Sequence, residues 1–226
     1  MRILVDFDGT IADWNEAIER HLPGIEPNKE HWDLHDRYPD HINDIYNIVH
    51  AEGFTDSLLP FNDALRVLKL LDKHYEVFIC SAIHQDFKYN CNEKLSWVTR
   101  FLGPHWVKKI ILTADKTIVQ GDVLIDDKPD VTGINPEPTW EHIQYGSGTC
   151  PDWSAVEEMF LKREFNNSRL MRAIRKSMRP GNFEKRINEN LSKLELQSGV
   201  DMDQKGLDFL DEKLKSYEIN GLLSFE

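Results

Sequence analysis

The sequence opens with MRILVDFDGT (residues 1–10), which predicts a strand followed by the start of a polar site. Residues 2–5 are short, rich in Ile, Leu and Val, and followed by a turn signal at Gly9, so they predict a buried β-strand. Asp6 and Asp8 follow the carboxyl end of this strand, where open α/β sheets place their ligands. Two acids spaced i and i+2 beside a glycine turn suit the binding of a cation and covalent catalysis. One carboxylate can attack a substrate or bind the cation, while the other carries a proton.

Length and composition indicate one domain of ordinary size with room for an insert or an appendage. The chain has 226 residues, of which 40% are hydrophobic. No apolar run approaches the ~18 residues of a membrane-spanning helix, and the segment before Asp6 is too short for a signal peptide. Three cysteines without paired spacing fit a reducing compartment, so we expect a cytoplasmic protein with no membrane contact.

After the first strand, apolar strand-like runs alternate with helix-like runs. This alternation indicates βαβ units and therefore an α/β fold with a Rossmann-like, mainly parallel sheet flanked by helices. The later strands are predicted at residues 76–80, 109–112, 122–125 and 139–145. Helices are predicted at residues 12–22, 41–51 and 60–74, and a further helix carries Leu95, Val98 and Leu102 on one face.

Residues 14–60 differ from the rest of the chain in composition and hydrophobic pattern. They are rich in aromatic and turn-forming residues and show no strand-like alternation. Placed between the first strand and the next βα unit, they suit a small helical cap over the site, and a looped connection with core aromatics is the alternative. We therefore divide the chain into three parts. These are an α/β core (1–13 and 61–153), a helical cap (14–60) and a charged helical C-terminal extension (154–226).

Polar side chains follow four of the predicted strands. They are Asp6 and Asp8, then Ser81, then Lys116, then Asp126 and Asp127. Because the carboxyl ends of parallel strands lie along one edge of a sheet, we expect these groups to converge. Phosphoryl transfer needs such a set, since charge on the phosphoryl oxygens must be offset while nucleophile and leaving group stay in line.

Each group has a role in that chemistry. Asp6 is the predicted nucleophile, forming an aspartyl phosphate, and Asp8 protonates the leaving oxygen and then deprotonates the attacking water. Ser81 donates hydrogen bonds to the phosphoryl group, and Lys116 neutralises it and restrains the repulsion between carboxylates.

The second acidic pair completes a predicted metal site. Asp127, with Asp126 beside or behind it, joins Asp6 and the Asp8 carbonyl in an oxygen-only site suited to Mg²⁺. Response-regulator receivers use similar groups, but their acidic pair comes first and their phosphate acceptor later. The order here is the reverse, which disfavours a receiver.

The string Asp6-Phe7-Asp8-Gly9-Thr10 resembles motif one of the haloacid dehalogenase superfamily, and its second acid resembles the phosphatases and mutases within it. Residues 1 to about 153 resemble one branch, the 5′(3′)-deoxyribonucleotidases. The resemblance is carried by VFICS (77–81), FKY (87–89), EK (93–94), ILTADKT (111–117), LIDDKPD (124–130) and PTWEH (138–142).

This resemblance implies Mg²⁺-dependent removal of phosphate from nucleoside monophosphates, under a helical cap whose aromatics hold the base. Trp14 stands where the family has a Phe beside the base, and Trp32 and Phe54 are further candidates that core packing would also explain. Ser81, Ala82 and Lys116 complete the implied substrate contacts.

Two positions depart from the family pattern. Ala82 stands where the family has a Ser. Ala114 replaces an Arg that contacts phosphate, which removes a bidentate anion ligand.

The C-terminal extension departs from the acidic character of the chain. The net charge of −12 disfavours a protein that coats nucleic acid, yet residues 162–186 hold nine Lys or Arg against two Glu. This stretch predicts a solvated helical appendage, with an arm for homo-oligomerisation or nucleic-acid contact as alternatives.

Two other functions stay open at this stage. One is a same-fold phosphatase for another phosphomonoester, such as a sugar phosphate or a nucleic-acid end. The other is a binding protein that acts through its extension. Base and sugar preference, oligomeric state and physiological purpose do not follow from the sequence.

Overall fold

Five strands form one sheet in which every pairing is parallel, as predicted. A computed structural model describes residues 1–28, 31–83 and 88–167, with side chains up to 161. Within these residues the strands are β1 (Arg2–Val5), β2 (Ala12–Asp13), β3 (Leu59–Pro60), β4 (Glu76–Ala82), β5 (Ile110–Thr113), β6 (Val123–Asp126) and β7 (Glu141–Gln144). The α-helices are α1 (Trp14–His21), α2 (Leu34–Arg37), α3 (Ile42–Val49), α4 (Ala64–Leu71), α5 (Asn90–Leu102) and α6 (Trp153–Asn167).

The large sheet has the order β5-β4-β1-β6-β7, so β1 lies at its centre. The chain adds β4 and β5 on one side of β1 and then β6 and β7 on the other. Val5 pairs with both Ile79 and Ile125, which aligns the carboxyl ends of the three central strands. Crevices at such a reversal of strand order are where α/β sheets bind ligands, and Asp6 follows Val5 directly.

The central strand is buried on both faces, as a continuous apolar run predicts. Ile3 and Val5 point into the larger of two apolar clusters. Leu4 points to the opposite face, where it packs in a smaller cluster with Leu124 and Trp140. Helices α4, α5 and α6 contribute buried side chains to the larger cluster, and this parallel sheet with flanking helices confirms the predicted fold class.

The insert between β1 and β4 is mainly helical in its described residues, as predicted, with α1, α2 and α3 and a 3₁₀ turn at Thr55–Ser57. Its two ends are joined by a short antiparallel pair, β2 with β3, which no alternation in the sequence indicates. The predicted helices 12–22 and 60–74 consequently begin later, at Trp14 and Ala64. Asp13 caps the first of them, because its carboxylate accepts a hydrogen bond from the Glu16 amide at 3.0 Å.

Helix α6 belongs to the first compact unit, Met1–Leu161, at its start. Trp153, Val156 and Phe160 are buried there. Most of the predicted extension, including nearly all of the basic stretch 162–186, lies outside the described residues. In the part of the chain that the structure describes, no helix combines the length and apolarity needed to cross a bilayer.

Candidate active site

The turn after β1 brings the first acids against the neighbouring strand. The Asp6 amide donates to the Ile125 carbonyl at 2.8 Å, which continues the sheet one residue beyond β1. Gly9 has a φ of +76°, and a Cβ at this position would overlap the Asp127 carboxylate. Only glycine meets both conditions, since it tolerates positive φ and carries no side chain. The turn thus lets the first and last acidic pairs approach each other closely.

Lys116 bridges two buried carboxylates. Its Nζ lies 2.5 Å from Asp6 Oδ1 and 2.6 Å from Asp126 Oδ2, and all three side chains are at least nine-tenths buried. Burial alone lowers the pKa of Lys116, but the charges of Asp6 and Asp126 outweigh it and hold that pKa above its usual value. Lys116 is therefore a fixed cation between the two strand ends.

Asp6 is a carboxylate in an unfavourable environment for its charge. Burial raises the pKa of Asp6 to about 8, with the attraction of Lys116 opposing this and the repulsion of Asp126, Asp127 and Asp8 adding to it. A cation bound at this point would stabilise the ionised form.

Asp127 lies within reach of the insert. Its Oδ2 accepts a hydrogen bond from Trp32 Nε1 at 2.9 Å, and its amide donates to Thr10 Oγ1 at 3.1 Å. Burial and the neighbouring Asp126 raise the pKa of Asp127 to about 6, and the Trp32 hydrogen bond and Lys116 oppose this.

Lys94 lies at the site in the described structure, and the sequence interpretation missed it. This lysine is completely buried on α5, and its Nζ lies 2.6 Å from Asp8 Oδ2, 2.7 Å from Ser81 Oγ and 2.9 Å from the Ala82 carbonyl. Asp8 is one-third exposed, with a relative side-chain accessibility of 32%. The two acids of the first motif therefore have separate cation partners.

The acidic cluster fits a hard divalent cation. Asp6, Asp126 and Asp127 each offer a carboxylate oxygen, and these oxygens lie within 4.8 Å of one another. Oxygen-only ligand sets of this kind suit Mg²⁺. Including Asp8, four carboxylates face two lysine ammonium groups, so a divalent cation would balance the remaining charge.

Asp126 and Asp127 differ in surroundings. The Asp126 oxygens accept from Lys116 Nζ at 2.6 Å and from the Lys128 amide at 2.9 Å, so Asp126 is the buried member of the cluster and orients Lys116. Asp127 is less buried and faces the insert.

The predicted substrate contacts fall in different places. Trp32 is 44% exposed and reaches the acidic cluster, whereas Phe54 is buried and packs edge-to-face on Trp14 with ring centroids 5.8 Å apart. Ala82 contributes its carbonyl to Lys94, and Ala114 is exposed in the turn before Lys116.

A local signal for Lys94 exists in the sequence. Asn90, Lys94 and Val98 are spaced i, i+4 and i+8, so they share the buried face of α5, together with Trp97 and Leu102. Of the predicted face of Leu95, Val98 and Leu102, the last two are buried and Leu95 is partly buried at its edge. A lysine on an apolar helix face near a strand end indicates an interior charge partner.

Matches to known proteins agree with this geometry. The family described as "5′ nucleotidase, deoxy (pyrimidine), cytosolic type C protein" matches residues 1–136. The human mitochondrial 5′(3′)-deoxyribonucleotidase is 34% identical over 159 residues, covering 64% of this chain and 70% of that protein. The human cytosolic type is 35% identical over 164 residues, covering 66% of this chain and 80% of the relative. The mouse mitochondrial protein is 34% identical over 161 residues, covering 65% and 73%.

The α/β sheet and these matches define the class of the protein as a phosphomonoester hydrolase. Within that class, the chain belongs to the 5′(3′)-deoxyribonucleotidase family, and the resemblance of its motifs to this family is confirmed.

Proposed function

We propose that this protein is a Mg²⁺-dependent phosphatase that hydrolyses deoxyribonucleoside or ribonucleoside monophosphates to nucleoside and phosphate. The relatives are named for this activity on deoxyribonucleotides. The observation that carries the proposal is the separation of the two acids of the first motif. Asp6 is buried against Lys116, and Asp8 is partly exposed against Lys94.

These different surroundings suit different roles. An Asp6 oxygen attacks the phosphorus, the bond from phosphorus to the ester oxygen breaks, and the leaving oxygen takes a proton from Asp8. A water then attacks the aspartyl phosphate and gives its proton to Asp8, and the bond from phosphorus to Asp6 breaks. The products are nucleoside and inorganic phosphate, and both acids return to their starting states.

The surrounding groups assist these steps. Ser81 donates to the phosphoryl oxygens, because its Oγ accepts from Lys94 at 2.7 Å and its hydroxyl proton, which makes only a long contact of 3.5 Å with the Ala82 carbonyl, can turn to the substrate. Lys116 offsets phosphoryl charge beside Asp6. Mg²⁺, held by Asp6, Asp127 and the Asp8 carbonyl with Asp126 behind, would supply further electrostatic stabilisation of that charge.

The insert supplies the proposed cap. Its aromatic residues Trp32 and Trp14 would stack on the base, whereas Phe54 is buried and supports Trp14 from behind. We keep the cytoplasmic location as part of the proposal, since its relatives carry both cytosolic and mitochondrial names.

Phosphate release tests the proposal. Purified protein with Mg²⁺ is assayed on deoxyribonucleoside 5′- and 3′-monophosphates, the matching ribonucleotides, sugar phosphates and a 5′-phosphorylated oligonucleotide. The expected result is the highest kcat/KM on a nucleoside monophosphate, with turnover abolished in Asp6→Asn and by chelator. Preference for a sugar phosphate or an oligonucleotide end would move the function to the alternative substrate class. Absence of turnover on the whole panel would favour a binding protein.

A further inference from the structure

We propose that Lys94 is a positioning residue that holds Asp8 in the orientation needed for proton transfer to and from the reacting oxygens. The inference rests on the proposed phosphatase function and gives a role to Lys94, which belongs to the EK (93–94) string of the family resemblance but receives no part in the site from the sequence alone. It concerns the proton-transfer half of the reaction, whereas Lys116 serves the nucleophile.

The geometry of Lys94 leaves it no spare donor. An ammonium group has three hydrogens, and three oxygens surround this one, from Asp8 at 2.6 Å, Ser81 at 2.7 Å and Ala82 at 2.9 Å. The side chain is fully buried, so its charge depends on these partners in place of water. Because two of the oxygens lie at the end of β4 and one lies after β1, Lys94 ties Asp8 to a rigid strand.

Helix α5 is itself anchored, which gives Lys94 a fixed base. The Glu93 carboxylate accepts from the amides of Gly53 at 2.6 Å and Asp56 at 3.3 Å. Four residues further along, Trp97 Nε1 donates to the Leu58 carbonyl at 2.8 Å. The face of α5 that carries Lys94 therefore lies against the returning end of the insert and cannot turn without breaking these bonds.

The two oxygens of the Asp8 carboxylate have different roles in this arrangement. Lys94 occupies Oδ2, and the carboxylate is still one-third exposed, which leaves Oδ1 to face the reacting group. A carboxylate freed from Lys94 would rotate among several orientations. General acid–base catalysis depends on such geometry and contributes roughly 100-fold to 10⁴-fold to rates.

The effect of losing Lys94 on the rate of the first step, phosphorylation of Asp6, should therefore depend on the leaving group of the substrate. A nucleoside alkoxide needs a proton from Asp8 to leave, whereas p-nitrophenolate leaves readily without one. The second step, attack of water on the aspartyl phosphate, needs Asp8 as base whatever the substrate was. A Lys94→Met protein should consequently be phosphorylated quickly by p-nitrophenyl phosphate and dephosphorylated slowly.

The experiment compares full-length wild type with Lys94→Met on a nucleoside monophosphate and on p-nitrophenyl phosphate, with rapid-mixing measurement of p-nitrophenolate. We expect kcat on the nucleotide to fall about 100-fold. On the aryl ester we expect a fast burst of about one p-nitrophenolate per active site followed by slow turnover. Asp8→Asn should show the same pattern, because it removes the proton carrier itself.

Three further variants separate positioning from folding. Lys116→Met should lose phosphorylation by both substrates and show no burst, since it disturbs Asp6. Lys69→Met, at an exposed lysine of α4 that lies outside the site, should keep turnover on both substrates. Lys94→Gln, whose shorter, neutral amide has two donor hydrogens and cannot replace the three ammonium hydrogen bonds, should repeat the burst pattern in a protein checked by thermal melting, even if Lys94→Met fails to fold.

The outcomes distinguish this inference from the function beneath it. Folded Lys94 variants that lose both substrates equally and show no burst would overturn the positioning role while the phosphatase function stands. Folded variants with unchanged turnover would overturn it as well. A wild-type protein that hydrolyses neither substrate would refute the proposed function and this inference together.

Discussion

Trp32 donates the hydrogen of its indole Nε1 to Asp127 Oδ2 across 2.9 Å, although the two residues lie 95 positions apart in the chain. Trp32 belongs to the insert, and Asp127 comes directly after strand β6 of the large sheet. The ammonium group of Lys128 lies 5.4 Å from the centre of the same indole ring, which adds a cation–π contact. The insert thus touches the acidic cluster directly, and a residue predicted to hold the base also stabilises a proposed metal ligand.

Trp32→Phe should weaken Mg²⁺ binding more at pH 6 than at pH 8. The pKa of Asp127 is raised to about 6 even though the indole hydrogen bond lowers it, so loss of that bond raises this pKa further and leaves more of the carboxyl protonated near pH 6. Hydrogen bonds to charged groups are worth about 1.5–3 kcal/mol, and the exposure of Trp32 favours the lower end, which is roughly tenfold in affinity. Isothermal titration calorimetry at both pH values measures the effect.

Trp14→Phe is the matched control for that substitution. Trp14 packs on Phe54 and, within the described residues, makes no hydrogen bond to the acidic cluster, so Mg²⁺ affinity should stay unchanged at both pH values. Equal weakening of binding by Trp32→Phe at pH 6 and pH 8 would contradict the protonation argument.

Gly9→Ala and Gly146→Ala separate the cost of positive φ from the cost of contact. Gly9 and Gly146 have φ values of +76° and +77°, but only at Gly9 would a Cβ meet Asp127, whereas nothing lies within 4 Å at Gly146. Alanine in this conformation costs roughly 1–2 kcal/mol. We expect Gly146→Ala to lose about that much stability in urea and to keep Mg²⁺ binding, while Gly9→Ala loses more stability and most of its Mg²⁺ affinity. Equal losses of stability and of Mg²⁺ affinity in the two variants would rule out a contact between the new Cβ at residue 9 and the Asp127 carboxylate.

The metal-free protein should lose stability as pH rises from about 5 to 8. The pKa values of Asp6 and Asp127 are raised to about 8 and about 6, above the unfolded value of about 3.9. Between these values the folded state binds more protons than the unfolded chain, so the free energy of unfolding falls with increasing pH. One pKa unit corresponds to about 1.4 kcal/mol, so the melting temperature should fall by several degrees.

Thermal melts in chelator at pH 5, 6, 7 and 8 measure this slope. Asp127→Asn removes one of the titrating groups and should flatten it. Mg²⁺ should raise the melting temperature more at pH 8 than at pH 5, because its ligands must be deprotonated. A melting temperature that rises with pH in chelator would show that these carboxyls are not the dominant titrating groups.

The sheet edge could be predicted from sequence because its signals are local. Each central strand is a short apolar run that ends in a polar residue, and parallel pairing then brings those ends together whatever their separation in the chain. Asp6, Lys116 and Asp126 are therefore found within hydrogen-bonding distance, as their positions after three strands predict.

Other features depend on contacts that no local pattern carries. The β2–β3 pair joins residues from opposite ends of the insert, with two residues in each strand, which is too short for alternation to be visible. The helical spacing of Lys94 with Val98 indicates that it faces inward, but this spacing does not indicate which groups it meets there. Its role follows from the positions of Asp8 and Ser81, which come from two other elements.

Ala114→Arg should strengthen phosphate binding if the pocket otherwise follows the family pattern. Ala114 is exposed in the turn between β5 and Lys116, so an arginine there has room to extend toward the substrate. A bidentate guanidinium contact acts on ground state and transition state alike, so KM should fall several-fold with a smaller change in kcat. Steady-state kinetics on a nucleoside monophosphate measures this, and Ala114→Gln controls for size without charge. Weaker binding in Ala114→Arg would mean that another basic group already occupies that space.

Two truncations should locate the end of the catalytic unit. Trp153 Nε1 donates to the Thr10 carbonyl at 2.9 Å, and Thr10 Oγ1 accepts from the Asp127 amide at 3.1 Å, so the start of α6 supports the site through one intervening residue. Removal of residues 168–226, which lie beyond the described part, should leave kcat within about twofold, because every assigned group precedes residue 128. Removal of residues 153–226 should instead unfold the protein or abolish turnover, since it takes buried Trp153, Val156 and Phe160 from the core.

The shorter cut also decides among the roles predicted for the extension. A drop in native mass by a whole-number factor, measured by light scattering, would identify an oligomerisation arm. Loss of a salt-sensitive affinity for polynucleotide, with nucleotidase activity retained, would identify a nucleic-acid contact through the basic stretch 162–186. A lower melting temperature or solubility alone would indicate an appendage that covers apolar surface. Complete loss of kcat in a protein that still melts cooperatively would contradict all three, because it would require residues beyond 167 to act within the site.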